Sequence, residues 1–291
     1  MYPPRFDYLA PTSLEEVVAA LGEREGAKVM AGGQSLIPVL KLRIASVDTV
    51  VDLNGVPGLD GITEEGGELR IGALVRHADA ERSPLLEGRY GALGSTARLV
   101  ADPLVRNRGT VCGSLAHADP QGDWSSTMIA ARGSVVARGA NGERTIPVDE
   151  LALGPFSTTL GPDEVITEVR LPDPGPRTGG TYLKLERRVG DFATAAVAVQ
   201  VTLDNGNVGQ VGIGLTGVGA TNLRATAAED ALRGNEPTDD AIREAAALAA
   251  EAAEPQSDNR GSAEYKRNVV RVFCERGLRT AISAAQAAGK E

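Results

Sequence analysis

The five residues Pro172-Asp173-Pro174-Gly175-Pro176 restrict this chain more than any other stretch of equal length. Each proline holds φ at about −65° and lacks a backbone donor, so neither a helix nor an interior strand runs through them. The chain has 291 residues, room for about two domains. We place the boundary at this linker, with one domain over residues 1–175 and a second over 176–291.

Before the linker, short strands, glycine turns and helices alternate. Thr12 or Ser13 caps a helix over residues 14–24, whose first turn carries Glu15 and Glu16 at the positive end of the helix dipole. A strand follows at Lys28-Val29-Met30, then the pair Gly32-Gly33, then an apolar helix or loop over 36–42. Residues 47–53 and 68–71 read as strands bounded by turns at Asn54-Gly55 and Gly66-Gly67. Residues 75–99 are helical in pattern, with Pro84 opening a second helix, and 109–113 read as a glycine-rich turn. A short helix over 125–131 and strands over 134–138 and 164–171 complete this half. After the linker, residues 195–203 and 208–218 flank Asn205-Gly206, whose tolerance of positive φ predicts a hairpin. Helices follow over 223–233, 239–254 and 263–285, with Thr238 and Ser262 as caps. The predicted class is α+β.

Composition narrows the function. Lys and Arg total 30 against 39 Asp and Glu, a formal charge of −9. No basic block is available to displace counterions from a phosphate backbone, so nucleic acid is not an expected partner. No apolar run reaches the roughly 20 residues of a membrane span, and Met1-Tyr2-Pro3-Pro4-Arg5 lacks a signal-peptide hydrophobic region. A cytoplasmic location is expected. Cys112 and Cys274 supply neither a disulfide framework nor zinc spacing, and His77 and His117 alone cannot build a multi-histidine centre. No metal site is expected. With 35 glycines and 3% aromatic residues, the interior rests on Val, Ile, Leu and Ala, as in a mixed α and β enzyme.

Two segments carry chemistry. Ala31-Gly32-Gly33-Gln34-Ser35-Leu36 follows a strand, and paired glycines let consecutive amides form a nest around phosphate oxygens. The spacing matches neither the dinucleotide fingerprint nor the P-loop, and a glycine pair alone is more often a structural turn. Arg106-Asn107-Arg108-Gly109-Thr110-Val111-Cys112-Gly113-Ser114-Leu115-Ala116-His117-Ala118-Asp119-Pro120, then Asp123, gathers glycines, hydroxyls and carboxylates suited to a ligand with phosphate and polyol parts. A polar turn between helices is the competing reading.

Taken together, these segments resemble the FAD-binding medium subunit of the molybdenum hydroxylases, the group that includes bacterial carbon monoxide dehydrogenase and the middle portion of xanthine dehydrogenases. The likeness extends through Ile37-Pro38, Lys41-Leu42-Arg43, Val51-Asp52-Leu53, Asp163-Glu164-Val165-Ile166 and Lys184-Leu185-Glu186-Arg187-Arg188-Val189-Gly190-Asp191-Phe192-Ala193, so that it covers nearly the whole chain. It implies a two-part FAD-binding domain of the vanillyl-alcohol oxidase (PCMH) type, with subdomains over about residues 1–57 and 58–175, followed by a smaller α+β domain of antiparallel sheet and helices. It further implies that Val29-Met30-Ala31-Gly32-Gly33-Gln34-Ser35-Leu36 wraps the FAD pyrophosphate. Thr110-Val111-Cys112-Gly113-Ser114 would be the second phosphate-binding turn. Asp123 would bond flavin-side hydroxyls, Ile166 would line the adenine or ring pocket, and Lys184 would lie near the flavin. No catalytic acid or base is assigned.

The family reads Gly-Gly where this chain reads Cys112-Gly113. A side chain there is expected to restrict positive φ and to crowd the approach to a phosphate. Cys112 is read as an inert small residue ahead of a reactive thiol. His117 reads as turn-stabilising, His77 as a surface or packing residue and Trp124 as packing, while Arg187-Arg188 is either a phosphate or partner contact or a solvated edge.

The resemblance implies an FAD-binding electron-transfer subunit. Electrons would come from iron–sulfur clusters of a [2Fe-2S] small subunit, fed by a molybdopterin-binding large subunit. The flavin would then deliver them to an external acceptor, in a dimer of heterotrimers. The alternatives are a stand-alone FAD-dependent oxidoreductase acting on a small molecule, and a scaffold subunit that has lost FAD.

Overall fold

The computed structural model describes residues 1–289. The N-terminal part holds a parallel sheet of β1 (Asp7–Leu9), β2 (Ala27–Met30) and β3 (Thr49–Asp52) in the order β1-β3-β2. Helix α1 (Leu14–Glu23) joins β1 to β2, and α2 (Leu36–Lys41) joins β2 to β3. Helix α1 starts where it does because Ser13 Oγ accepts from Glu16 N at 3.2 Å while Glu16 Oε2 accepts from Thr12 N at 2.7 Å. Val17 and Leu21, four residues apart, are its buried face.

The second part contains β4 (Ile62–Glu65), β5 (Glu68–Gly72), α3 (His77–Arg82), α4 (Gly91–Leu99), α5 (Pro103–Arg106), α6 (Val111–His117), α7 (Asp123–Ala130), β6 (Ser134–Gly139), β7 (Gly142–Pro147), α8 (Val148–Leu151), the short pair β8 (Ala152–Gly154) and β9 (Ser157–Thr158), and β10 (Val165–Pro172). Its antiparallel sheet runs β4-β5-β10-β6-β7. Leu69 and Ile71, Val135 and Ala137, and Val169 and Leu171 alternate onto one sheet face and pack with Trp124 and Met128 in a common core.

The C-terminal part is the antiparallel sheet β11 (Thr178–Leu185), β12 (Ala195–Asp204), β13 (Asn207–Thr216) and β14 (Leu223–Arg224), with α9 (Thr226–Leu232), α10 (Asp239–Ala252) and α11 (Ala263–Ala288). Asn205 and Gly206, with φ of 49° and 90°, make the expected hairpin. Strand β12 is buried along nearly its whole length because both faces are covered. Val197, Val199 and Val201 meet the helices, including Val270, Cys274 and Leu278 of α11. On the opposite face Ala196 and Ala198 of β12 and Gly212 and Gly214 of β13 are small. A Cβ on Gly212 would overlap the Ala130 carbonyl, and one on Gly214 the Ser126 carbonyl. Helix α7 therefore lies directly on β13, and α4 lies on β11 at Gly180, where a Cβ would come within 2.9 Å of Ala92 Cβ. That close packing fixes the N-terminus of α7, and with it Asp123, against β11.

Three local expectations change. Residues 109–113 are not a turn throughout, because Thr110 caps α6, its Oγ1 accepting from Gly113 N at 3.1 Å. Residues 75–99 form two α-helices separated by 3₁₀ turns at Pro84–Leu86 and Gly88–Tyr90. Residues 223–233 begin as a strand before becoming helix.

Candidate FAD-binding site

Strand β2 delivers the chain into a loop whose amides have no work to do inside the protein. The N–H groups of Gly32, Gly33, Gln34 and Ser35 donate to no acceptor among the described residues. Gly33 takes φ of 73°, the left-handed region that glycine enters freely. Gly32 is glycine for a different reason. Its α-carbon abuts the other segment, and a Cβ there would overlap the Arg108 carbonyl and lie 2.7 Å from Gly109 Cα. One glycine shapes the loop, and the other docks it.

The second segment is locked from behind. Val111 N donates to Val75 O at 3.1 Å, and His77 N donates to Gly109 O at 3.0 Å. The His77 ring fills the space beside Gly109, and its Nδ1 accepts from Trp124 Nε1 at 3.0 Å. Burial, with Arg106 and Arg76 nearby, pushes His77 down to about 4, so the ring is neutral at pH 7. His77 is thus no surface residue: it stands behind the loop, over a fully buried Trp124. His117, half-buried at the end of α6, tilts against Phe156 at 5.1 Å between ring centroids.

Cys112 is the inert residue expected, but it does not strain the turn. It sits in the first turn of α6 with helical backbone, absent from the residues of positive φ. Its thiol points into the core, 3.7 Å from Ile71 O, and is 2% exposed. Burial pushes the thiol far up, leaving it protonated and inert. The side chain packs in the core cluster with Val111 and Leu115, and the backbone N–H has no acceptor among the described residues. The glycine that the geometry needs is Gly113, where a Cβ would come within 2.6 Å of the capping Thr110 Oγ1.

Asp123 opens α7 and meets β11. Its Oδ1 accepts from Tyr182 Oη at 2.7 Å and its Oδ2 from Lys184 Nζ at 3.1 Å. Lys184, with 1% of its side chain exposed, also donates to Leu99 O at 3.0 Å and lies 3.5 Å from Glu186 Oε2. Burial raises the Asp123 carboxyl, and the Lys184 ammonium opposes that rise. Burial and Asp123 push the Tyr182 phenol well above its ordinary range. Asp123 and Lys184 therefore form a buried ion pair at the junction of two domains, with both carboxylate oxygens already engaged. Ile166, 5% exposed on β10, packs in the core cluster with Val165 and Val169. The structure brings residues 29–36 and 110–114 together, pairs Asp123 with Lys184, and places Ile166 in the core. Tyr182 was missed by sequence reasoning; its spacing of two from Lys184 on a strand puts both on one sheet face, a readable signal.

Comparison with known proteins decides the family. The profile described as the FAD binding domain in molybdopterin dehydrogenase matches residues 4–174, and that of the CO dehydrogenase flavoprotein C-terminal domain matches residues 180–281. This chain belongs to the FAD-binding medium subunits of the molybdenum hydroxylases. The carbon monoxide dehydrogenase medium chain of Hydrogenophaga pseudoflava is 42% identical over 282 residues, covering 97% of this chain and 98% of the relative. The nicotine 6-hydroxylase medium subunit of Paenarthrobacter nicotinovorans is 37% identical over 282 residues, with 95% and 99% covered. The solved carbon monoxide dehydrogenase from Hydrogenophaga pseudoflava superposes with a TM-score of 0.94 at 44% identity, covering 98% of this chain and 99% of that one. The cofactor of this medium-subunit family is FAD, and the two loops fit it. The four amides of Gly32–Ser35 and that of Cys112, unpartnered among the described residues, are donors suited to a pyrophosphate. No helix among the described residues is long and apolar enough to cross a membrane.

Proposed function

We propose that this chain carries electrons as the FAD subunit of a three-component hydroxylase. A molybdopterin-binding large subunit would oxidise the substrate, and a [2Fe-2S] small subunit would relay electrons to this chain, in a dimer of heterotrimers. The observation that carries the reading is the run of unsatisfied amides from Gly32 to Ser35 held against the Arg108–Gly109 backbone. Bound FAD supplies the redox chemistry, accepting electrons from a cluster and releasing them to an external acceptor.

The chain's own residues bind and orient. The amides of Gly32, Gly33, Gln34 and Ser35, with Cys112 N and the Ser114 hydroxyl, would hold the pyrophosphate. Met30 and Leu36 bracket the first loop, and Asp123 with Lys184 fixes residues 176–291 against the flavin domain over 1–175.

The test is titration of the purified chain with FAD, read by visible absorption and flavin fluorescence, followed by co-purification with the co-expressed large and small subunits. Saturable FAD binding and a stoichiometric complex are expected. A folded chain that takes up no FAD, alone or in the complex, overturns the reading.

A further inference from the structure

The two loops are tied together by side chains that belong to neither. Asn54 sits in the 3₁₀ turn Leu53–Gly55 after β3, and its Nδ2 donates to the Ala31 carbonyl at 2.9 Å. Arg76, just ahead of α3, donates from Nη1 to the Arg108 carbonyl at 2.7 Å. The two side chains then meet, Arg76 Nη2 donating to Asn54 Oδ1. Asp52 steadies Asn54, with Oδ1 accepting from Asn54 N at 2.9 Å and Oδ2 from Tyr8 Oη at 2.5 Å.

We propose that Asn54 and Arg76 are positioning residues for FAD, a side-chain bridge that sets the spacing and aim of the two amide loops. The inference rests on the reading that FAD lies between these loops. Its physical basis is the planarity of the peptide bond. The Ala31 carbonyl and the Gly32 N–H belong to one plane and point in opposite directions, so a donor fixed on the carbonyl aims the N–H the other way. Asn54 is that donor. The hydrogen bond also polarises the amide it holds, strengthening the free N–H as a donor. On the far side, the Arg108–Gly109 peptide is held at both ends, by Arg76 at its carbonyl and by the Val105 carbonyl, which accepts from Gly109 N at 2.7 Å. Arginine suits the bridge because its planar fork reaches two acceptors on different segments at once, which a lysine ammonium on a flexible stem does not hold in fixed geometry.

The experiment compares the full-length chain with Arg76→Lys, Asn54→Ala and the double variant, measuring FAD affinity, the visible spectrum of the bound flavin and the Tm of the FAD-free protein. We expect each single variant to weaken FAD by about tenfold or more, with the bound-flavin spectrum altered and Tm nearly unchanged. The double variant should lose no more than about twofold beyond the weaker single, because one bridge breaks only once. Affinity within about twofold of the parent in both singles overturns the inference, as do losses that multiply in the double. An affinity loss that merely follows Tm, with an unaltered flavin spectrum, assigns the residues to general stability and also overturns it. If Asn54→Ala does not fold, Asn54→Ser replaces it, and Arg76→Lys decides. A parent chain that binds no FAD fails the earlier reading instead, a result distinct from any of these.

Discussion

The α-carbon of Gly32 rests on the backbone of Gly109, so that a Cβ on Gly32 would fall 2.7 Å from Gly109 Cα and overlap the Arg108 carbonyl. Two loops about 75 residues apart in sequence thus meet without side chains between them. Gly32→Ala should force them apart, costing about 2 kcal/mol in folding stability and at least about tenfold in FAD affinity. Urea unfolding and FAD titration check both, and Gly33→Ala offers a contrast. Its Cβ would press on the Met30 side chain, 3.3 Å from Sδ, rather than on backbone, and its φ of 73° strains any L side chain.

Cys112 is buried in α6 and faces Ile71, not the ligand loops. Cys112→Gly, which restores the family's glycine pair, should leave FAD affinity within about twofold. It should lower stability by about 2 kcal/mol, from lost helix propensity and a small core void. A thiol reagent applied to the native protein should label neither Cys112 nor Cys274, the latter pushed up to about 12 by burial. Rapid labelling of Cys112 would contradict the packing described.

His77 titrates at about 4 in the folded chain against 6.5 in the unfolded one. The folded pKa is depressed, so the unfolded state binds the proton first as pH falls. Stability is therefore full above about pH 6.5 and declines toward pH 4, by at most about 3 kcal/mol. His77→Gln removes this titration and retains an acceptor for Trp124 Nε1. Its stability should change less steeply between pH 6 and 4 than that of the parent, as seen in chemical unfolding at a series of pH values. Equal slopes would exclude His77 as the source.

Lys184 and Asp123 form a buried pair 3.1 Å apart, with Tyr182 on the second carboxylate oxygen. Lys184→Met strands a charge and should cost about 3–5 kcal/mol. Adding Asp123→Asn should recover part of that loss, giving a coupling of about 1–3 kcal/mol in a double-mutant cycle. Purely additive losses would mean that the pair contributes nothing as a pair.

Helix caps and hairpin chemistry were legible because they act over four residues or fewer. Ser13, Thr238 and Ser262 cap the helices expected of them, and Asn205-Gly206 turns the expected hairpin. Strand β11 was not legible. With Gly179 and Gly180 in it and only Thr178 and Thr181 β-branched, it shows no strand pattern before α4 and α11 lie on its two faces, and no element is assigned to it from sequence. The same holds for His77, whose helical context says nothing of Trp124, 47 residues away.

By itself the sequence determined most helices and their caps, the hairpin, the α+β class and, through its resemblance, the family and the cofactor that goes with it. These follow from backbone preferences and from motifs whose residues are neighbours in the chain. Only the tertiary structure decided what each glycine is for, where the Cys112 thiol points, that Asp123 is already paired with Lys184, and that Asn54 and Arg76 span the two loops. Those outcomes depend on which backbone lies within 3 Å of which, a distance set by the packing of whole sheets and helices and carried by no local pattern.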